Sequence, residues 1–368
     1  MATVIEPDFI DRDVQTIQSE MIALYESYTG KTLQPAQPER LLINAFAYRE
    51  GLIREAIQDA AVQNLVKFSS SPVLDRLGEL LGVVRLAAVP AKCTLRFTLV
   101  TGHGAVIIPA GTRVSSTDGV AVFVTTYDQP VAVGVNTVDI ESECLTVGTI
   151  GNGYLTNTIT TILDPQAFIA SATNTAATAG GSEQETDDGL RERIQLAPAS
   201  FSNAGSRGAY IFHAKSAHPS IIDVAVTSPD PGQVNVYPLV EGGVTTPPVV
   251  LDAVTAALND EKIRPLTDLV VVASPTNVDY NITANLTIYN TADATDVQNS
   301  VTDLLTEFAR EKRLRMGRDI VQSQVIGVCM IEGVYSVSLS SWTDVIVNET
   351  QFPLCGTITV NISGTTNG

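Results

Sequence analysis

The sequence predicts an α+β multidomain protein. An N-terminal helical region covers residues 1–88, a small antiparallel β domain 89–172, and two small α+β domains 173–275 and 276–368. Three observations lead there. At 368 residues the chain is too long for one ordinary core, and 44 % hydrophobic against 17 % charged residues is the balance of a globular chain. Apolar residues follow the helical period at the start and change to short Val-, Thr- and Ile-rich runs from Cys93. Beyond residue 205, helices and strands alternate in two successive segments, each the size of a small sheet covered by helices on one face.

The elements follow in order. Ile10, Val14, Ile17, Met21, Leu24 and Tyr28 lie at helical spacing, and Gly30 follows as a stop. Pro38 opens a long helix expected to reach Phe68, about 45 Å at 1.5 Å per residue. Leu42, Phe46, Ile53, Ile57, Ala60, Leu65 and Phe68 fall on one stripe of it. That stripe packs either within its own domain or in a bundle shared with another chain, and the length favours the bundle. Ser71 and Pro72 are expected as N-cap and first residue of a third helix ending at Gly82.

Between Cys93 and Pro165, turn signals such as "TGHG", "PAGT" and "GNG" separate short strands. "SATNTAATAGGS", residues 171–182, has the composition of a linker. Helices are expected over Thr186–Leu196, Ser206–Ala217 and Val249–Glu261, with strands at Ile221–Thr227, Gln233–Val240 and Leu269–Ala273. The last segment opens on strict alternation from Val278 to Ile288, one face apolar and the other polar. A helix over Asp293–Arg310 carries Val297, Val301, Leu304, Leu305 and Phe308 on one side. A shorter helix, Val321–Met330, precedes strands at Val334–Leu339 and Thr357–Ile362.

A net charge of −18 repels phosphate, so generic nucleic-acid binding and attraction to anionic lipid are disfavoured. No window reaches the ~18 apolar residues of a membrane span, and no signal peptide is expected. Cys93, Cys144, Cys329 and Cys355 are widely separated and read as small buried hydrophobes. Asn281, Asn285, Asn348 and Asn361 sit in N-x-S/T patterns that fit the polar faces of strands.

The most pointed chemical feature is "GGSEQETDDGLRERI", residues 180–194, with Glu183, Glu185, Asp187 and Asp188 in six positions. As a calcium loop it fails, because Asp188 stands where the turn needs Gly and Ile194 where a bidentate Glu is required. A helix start explains more: Thr186 or Asp187 caps it, the acids favour its N-terminal dipole, and Leu190 and Ile194 face a core. Arg191 and Arg193 either tie parts of one chain together or bridge two chains. His103, His213 and His218 do not have the spacing of a zinc pair, and no nucleophile elbow or phosphate-binding loop is present. The basic cluster Arg310, Lys312, Arg313, Arg315 and Arg318 sits at a helix end, where cations complement the dipole. Its alternative role is a docking patch for an acidic neighbour. No catalytic residue, cofactor or metal is assigned.

Several stretches, in order, resemble the baseplate J family of contractile phage tails and related injection particles. They include "IPAGTRVSSTDGVAVFVT", "GTIGNGY", "GGSEQETDDGLRERI", "PGQVNVYPLV" and "MGRDIVQSQVIGVCMIEGVYSVSL". The resemblance runs from about Arg40 to Leu339, and the P-A-G-T turn followed by the G-G-x-x-x-E-T-D-x-x-L-R-x-R-I run carries its specificity. It implies a non-enzymatic baseplate wedge protein, made in the bacterial host cytoplasm and placed in a virion or contractile particle. Copies of such a protein join a smaller, tail protein I-like wedge protein through a helical bundle. They meet other wedge, hub and sheath-initiating proteins and form a ring around the hub and spike whose rearrangement triggers sheath contraction. The family run falls on Gly180, Gly181, Glu185, Thr186, Asp187, Leu190, Arg191 and Arg193, structural or interface positions. Candidate interface residues are Leu42, Phe46, Ile53, Ile57, Arg191, Arg193, Arg310, Arg313 and Arg315. The alternative is a tail-associated cell-wall-degrading enzyme or glycan binder. Aromatic content of 6 % and a single tryptophan, Trp342, count against a sugar platform.

Overall fold

The computed structural model describes residues 5–201, 205–242, 245–261, 263–265 and 267–367. The chain falls into two compact units. The first is built from residues up to Arg85 together with Leu190–Ile194; the second takes Leu86–Gly189 and the chain from Gln195 onward.

In the first unit, α1 (Val14–Thr29) is capped by the Asp13 carboxylate, which accepts from the Thr16 amide at 2.9 Å, and it ends at Gly30 in the left-handed region. α2 (Pro38–Val62) starts with proline at its first position, where no amide is needed. It stops short of Phe68 because the amides of Leu65 and Phe68 bond three residues back, to Val62 and Leu65, and so replace the α ladder with tight turns. The two helices pack through small residues. Ala47 is buried, and a Cβ on Gly51 would lie 2.8 Å from Cγ2 of Val14. Farther along, the buried Gln58 side chain accepts from the Phe9 amide at 2.9 Å and donates to the Pro7 carbonyl at 2.7 Å, pinning the chain ahead of α1. α3 spans Val73–Glu79. Pro72, rather than Ser71, stands at its cap position, and no side-chain cap bond is made there. Arg85 grips Asp75 through two bonds of 2.8 and 2.9 Å, holding that carboxyl below its ordinary range. Leu190–Ile194 of this unit come from α4 (Asp187–Ser200), whose Ile194 lies where a side chain on Gly78 would have to go.

The second unit begins with β1 (Pro90–Leu99), β2 (Val106–Ile108), β3 (Arg113–Ser116), β4 (Val122–Thr125), β5 (Gln129–Val131), β6 (Thr137–Val147), β7 (Ile159–Ile162) and β8 (Ile169–Asn174). Six of them form an antiparallel sheet in the order β7-β3-β4-β6-β1-β8, with β2 and β5 as a separate ribbon. Leu95, Phe97, Phe123, Ile140 and Ile159 fill its interior. The two edge strands meet, so the sheet nearly closes into a barrel. The Asn157 amide donates to the Asn174 carbonyl, and the buried Asn174 side chain accepts from the amides of Thr158 and Ile159 at 2.9 and 3.0 Å. Its Nδ2 donates to the carbonyls of Leu155 and Ala176.

This corrects the linker expected at 171–182. That run is β8 and the segment that seals the barrel, with Ala172, Asn174, Thr178 and Ser182 buried. Its small polar side chains satisfy themselves inside: Thr178 Oγ1 donates to the Gly151 carbonyl at 2.6 Å and accepts from the Tyr154 amide at 3.0 Å. Composition alone does not separate such a strand from a flexible tether.

Two further sheets follow. α5 (Arg207–Ala217, capped by Ser206), β9 (Ile221–Thr227), β10 (Gln233–Val240), α6 (Pro248–Leu258) and β11 (Leu269–Val272) build a sheet of order β11-β10-β9 over a core of Tyr210, Ala214, Val236, Val254 and Leu258. β12 (Thr276–Tyr289), α7 (Ala294–Arg313), α8 (Gln322–Cys329), β13 (Val334–Leu339) and β14 (Gln351–Thr366) build the other, of order β13-β12-β14, with β14 parallel to β12. The alternation read from the sequence holds: Tyr280, Ile282, Ala284, Leu286 and Ile288 are buried. Leu304 of α7 is exposed rather than buried, because it sits about 100° round the helix from Leu305. The two regions share a small core of Leu239, Met316 and Phe352, where the Met316 amide donates to Asp223 at 2.9 Å.

Replacing Asn174 by Ala strips the buried Ile159 amide and the half-buried Thr158 amide of their acceptor and two carbonyls of their donor. We expect a loss of roughly 2–4 kcal/mol in unfolding free energy, read by chemical denaturation of the full chain. A change inside experimental error contradicts the role of Asn174 in closing the barrel.

Candidate interaction surfaces

The candidate residues occupy separate places. On α2, Leu42, Phe46, Ile53 and Ile57 fall within an arc of about 60° at 3.6 residues per turn. The buried positions Ala47, Gly51, Gln58 and Val62 lie on another arc, about 140° away. The large apolar side chains therefore point away from α1. They are 60, 64, 58 and 49 % exposed. Leu41, Tyr48 and Leu52 of α2, with Leu24 and Tyr28 of α1, are exposed as well. None of these five was singled out as a site residue from sequence; Leu24 and Tyr28 were placed at helical spacing, which does not tell an inward stripe from an outward one. Monomer surfaces scatter their large apolar residues, whereas Leu42, Phe46, Ile53 and Ile57 line one side of a single helix.

Arg191 and Arg193 are held by carbonyls of their own unit. Arg191 donates to Val66 O at 2.9 Å and Ser69 O at 2.8 Å. Arg193, only 4 % exposed, donates to Val84 O at 2.7 Å. Both guanidinium groups thus receive the ends of turns that the α2–α3 connection and the residues after α3 leave without helical partners.

The acids of the 180–194 run divide by role. Thr186 is the helix cap, accepting from the Gly189 amide at 3.2 Å, and Asp187 and Asp188 stand in the first turn. Glu183 instead accepts from the amide of Thr149 at 2.9 Å and from its hydroxyl at 3.1 Å. Glu185, buried, accepts from the Leu86 amide at 3.0 Å while its own amide donates to the Leu86 carbonyl at 3.0 Å. Gly181 is clasped by Asn152, whose side chain accepts from its amide and donates to its carbonyl, both at 2.8 Å, and a Cβ there would collide with the Gly148 carbonyl. The run is a fastening built from carboxylate-to-amide bonds, which are stronger than neutral ones.

The basic cluster sits in and just beyond the last turn of α7. Arg310 pairs with Glu307 through bonds of 2.8 and 2.6 Å. Lys312 donates to Gln324 at 2.8 Å and lies 5.3 Å above the Phe308 ring. Arg315 is 3.5 Å from Asp223, and Arg313 is half-buried. Among the described residues no group of three or more His, Cys, Asp and Glu side chains is placed to hold a metal ion. His218 is buried and neutral, donating from Nε2 to the Gly180 carbonyl at 3.1 Å and meeting Ser220 at Nδ1. Burial pushes the Cys93 thiol up to about 12 and Cys329 to about 11, which keeps both protonated and unreactive. Among the described residues no helix is long and apolar enough to cross a membrane.

These placements separate two kinds of residue. Arg193→Ala removes a buried guanidinium and its bond to the Val84 carbonyl and is expected to cost about 1–3 kcal/mol of stability. Phe46→Asp and Ile53→Asp change exposed side chains and are expected to leave stability within about 0.5 kcal/mol. Thermal unfolding of the three variants checks both, and a destabilised Phe46→Asp places that side chain in the fold after all.

Four family models match the chain in order: the baseplate J-like N-terminal domain at residues 37–92, the barrel domain at 94–181, the central domain at 202–274 and the C-terminal domain at 280–361. Baseplate protein J of Escherichia phage P2 is 35 % identical over 173 residues, which are 46 % of this chain and 57 % of that protein. The chain thus matches little more than half the length of that relative. A solved structure of the anti-feeding prophage (AFP) baseplate aligns over 92 % of this chain and 89 % of its own, at 14 % identity and a TM-score of 0.42, a likeness too loose to carry an argument. On the four matched domains, which together cover most of its length, the chain belongs to the baseplate J-like protein family.

Proposed function

We propose that this protein is a structural, non-enzymatic component of a baseplate wedge in a contractile tail or injection system. Copies assemble into a ring around the central hub and spike and couple its rearrangement to sheath contraction. The observation that carries this reading is the exposed apolar row on α2, turned away from the helix's own packing face. A row of Leu, Phe and Ile at helical spacing fits a helical bundle with other chains, copies of this protein and a smaller, tail protein I-like wedge protein. Family membership supports the setting, a virion or contractile particle, and a four-part division fits it once the second boundary, expected at 172, is moved past residues 173–182, which seal the barrel. The end of α7 with Arg310, Arg313 and Arg315 is the second proposed contact, toward an acidic neighbouring wedge. Arg191 and Arg193 act indirectly, by fixing the start of α4.

Complementation of a particle lacking its own copy of the gene tests the reading. A Leu42→Asp/Phe46→Asp/Ile53→Asp variant that folds normally is expected to yield no contractile particles by electron microscopy and to lose co-purification with the smaller wedge protein. Normal particle yield from that variant sinks the bundle. Arg310→Glu/Arg313→Glu/Arg315→Glu is expected to leave wedges intact but lower the number of closed rings, and an unchanged ring count removes the basic patch from the interface.

A further inference from the structure

Of the three histidines in the chain, His218 is the one that the fold closes off, at 5 % exposure. It stands at the end of α5 with both ring nitrogens engaged. Nδ1 lies 3.2 Å from the Ser220 amide nitrogen and 2.8 Å from the Ser220 hydroxyl. Nε2 lies 3.1 Å from the Gly180 carbonyl oxygen. A main-chain amide only donates and a carbonyl only accepts. These neighbours therefore allow one state of the ring: neutral, with its hydrogen on Nε2 and a lone pair on Nδ1.

The bond to Gly180 crosses between two parts of the second unit. Gly180 belongs to the segment that seals the barrel, between the bridges of Ala179 to Lys92 and of Ser182 to Val89. It also meets α6, where Val249 occupies the place that a Cβ on Gly180 would take. Ser220 is held in turn by the Glu241 amide, which donates to its carbonyl at 3.1 Å.

The charged groups around the ring offer an added proton no counter-ion. Burial, with the cation Lys92 of β1 adding to it, outweighs the bond to Gly180 and holds the imidazole below its ordinary range. Lys215, one turn back on α5, donates to the Ile222 carbonyl. Among the acids on the surrounding elements, Glu183 accepts from Thr149 and Asp223 from the Met316 amide. Glu241, after β10, and Asp252, on α6, make no bond to the ring.

We propose that His218 is an acid-released latch between the barrel and the sheet β11-β10-β9. A proton from solvent adds to the Nδ1 lone pair. The new N–H then opposes the Ser220 N–H, and the charged ring leaves its buried seat. It gives up the Gly180 carbonyl and loosens the sealing segment from α6. The released ring binds its proton in the ordinary imidazole range, whereas the seated ring does so only below it. The latch is thus fully closed at neutral and alkaline pH and weakens as pH falls through the ordinary range. It stands on the geometry of the ring and is independent of the assembly reading above.

Hydrogen exchange of the full chain at about pH 7.5 and pH 5, with the intrinsic rate change divided out, tests it. The amides of 179–182 and 249–252 are expected to open several-fold more often at the lower pH, relative to those of β3 and β4. His218→Gln keeps a neutral N–H donor for the Gly180 carbonyl and has no site for the proton, so its two profiles are expected to coincide. Equal acceleration in both proteins assigns the opening to carboxylates and overturns the proposal, as does acceleration in neither. Should the glutamine variant misfold, nitrogen-15 NMR of the unaltered chain decides. A neutral ring in the closed state, with protonation appearing only alongside opening, is expected; a doubly protonated His218 in the closed state contradicts the latch.

Discussion

The close approach of α1 to α2 at Gly51 is the contact on which the outward surface of the first unit depends. Two helices come together only as near as their facing side chains allow. Here the facing positions of α2 are Ala47 and Gly51, with Val14 of α1 set directly over the glycine. That choice decides what the rest of α2 can do. With the small residues inward, Leu42, Phe46, Ile53 and Ile57 have no place in the fold and stand in solvent. In isolation such a helix gives up the transfer energy of four large side chains, on the order of 1.5–3 kcal/mol for each when fully buried. Under the proposed bundle, that energy is recovered when a partner covers the row.

The second unit is organised by bonds from side chains to main chain over long sequence distances. Asn174 joins the edges of the barrel, Asn152 clasps Gly181, and Glu183 and Glu185 receive the amides of Thr149 and Leu86. Each gives a partner to main-chain groups that loop geometry leaves outside a ladder, the condition for burying irregular backbone. The 180–194 stretch is densest in such bonds because it leads from the barrel into α4. Its arginines continue the same logic within the first unit, donating to Val66, Ser69 and Val84.

Much of the fold was legible in the sequence because its signals are local. Thr186, Ser206 and Asp293 cap the helices they precede, and the period-two run from Val278 to Ile288 is a strand with one buried face. What escaped was non-local. The composition of 171–182 points to a tether, yet Asn174 and Thr178 find their partners in the 151–159 region and bury the segment. The roles of Arg191 and Arg193 rest on carbonyls more than 100 positions earlier, which no spacing rule reaches. The apolar stripe of α2 was visible, but periodicity reports that a helix has two faces, not which of them is turned to its own chain. Gly51 and Ala47 were the available clue, since small residues repeated at i and i+4 mark a close helix contact.

Hydroxyl-radical footprinting, with the free chain and the assembled particle oxidised side by side and read residue by residue, tests the central claim most directly. Leu42, Phe46, Ile53 and Ile57 should be oxidised readily in the free chain and protected in the particle, while the buried Ile17 stays protected in both. Equal oxidation of the α2 row in the two states would show that nothing covers it and would contradict the account.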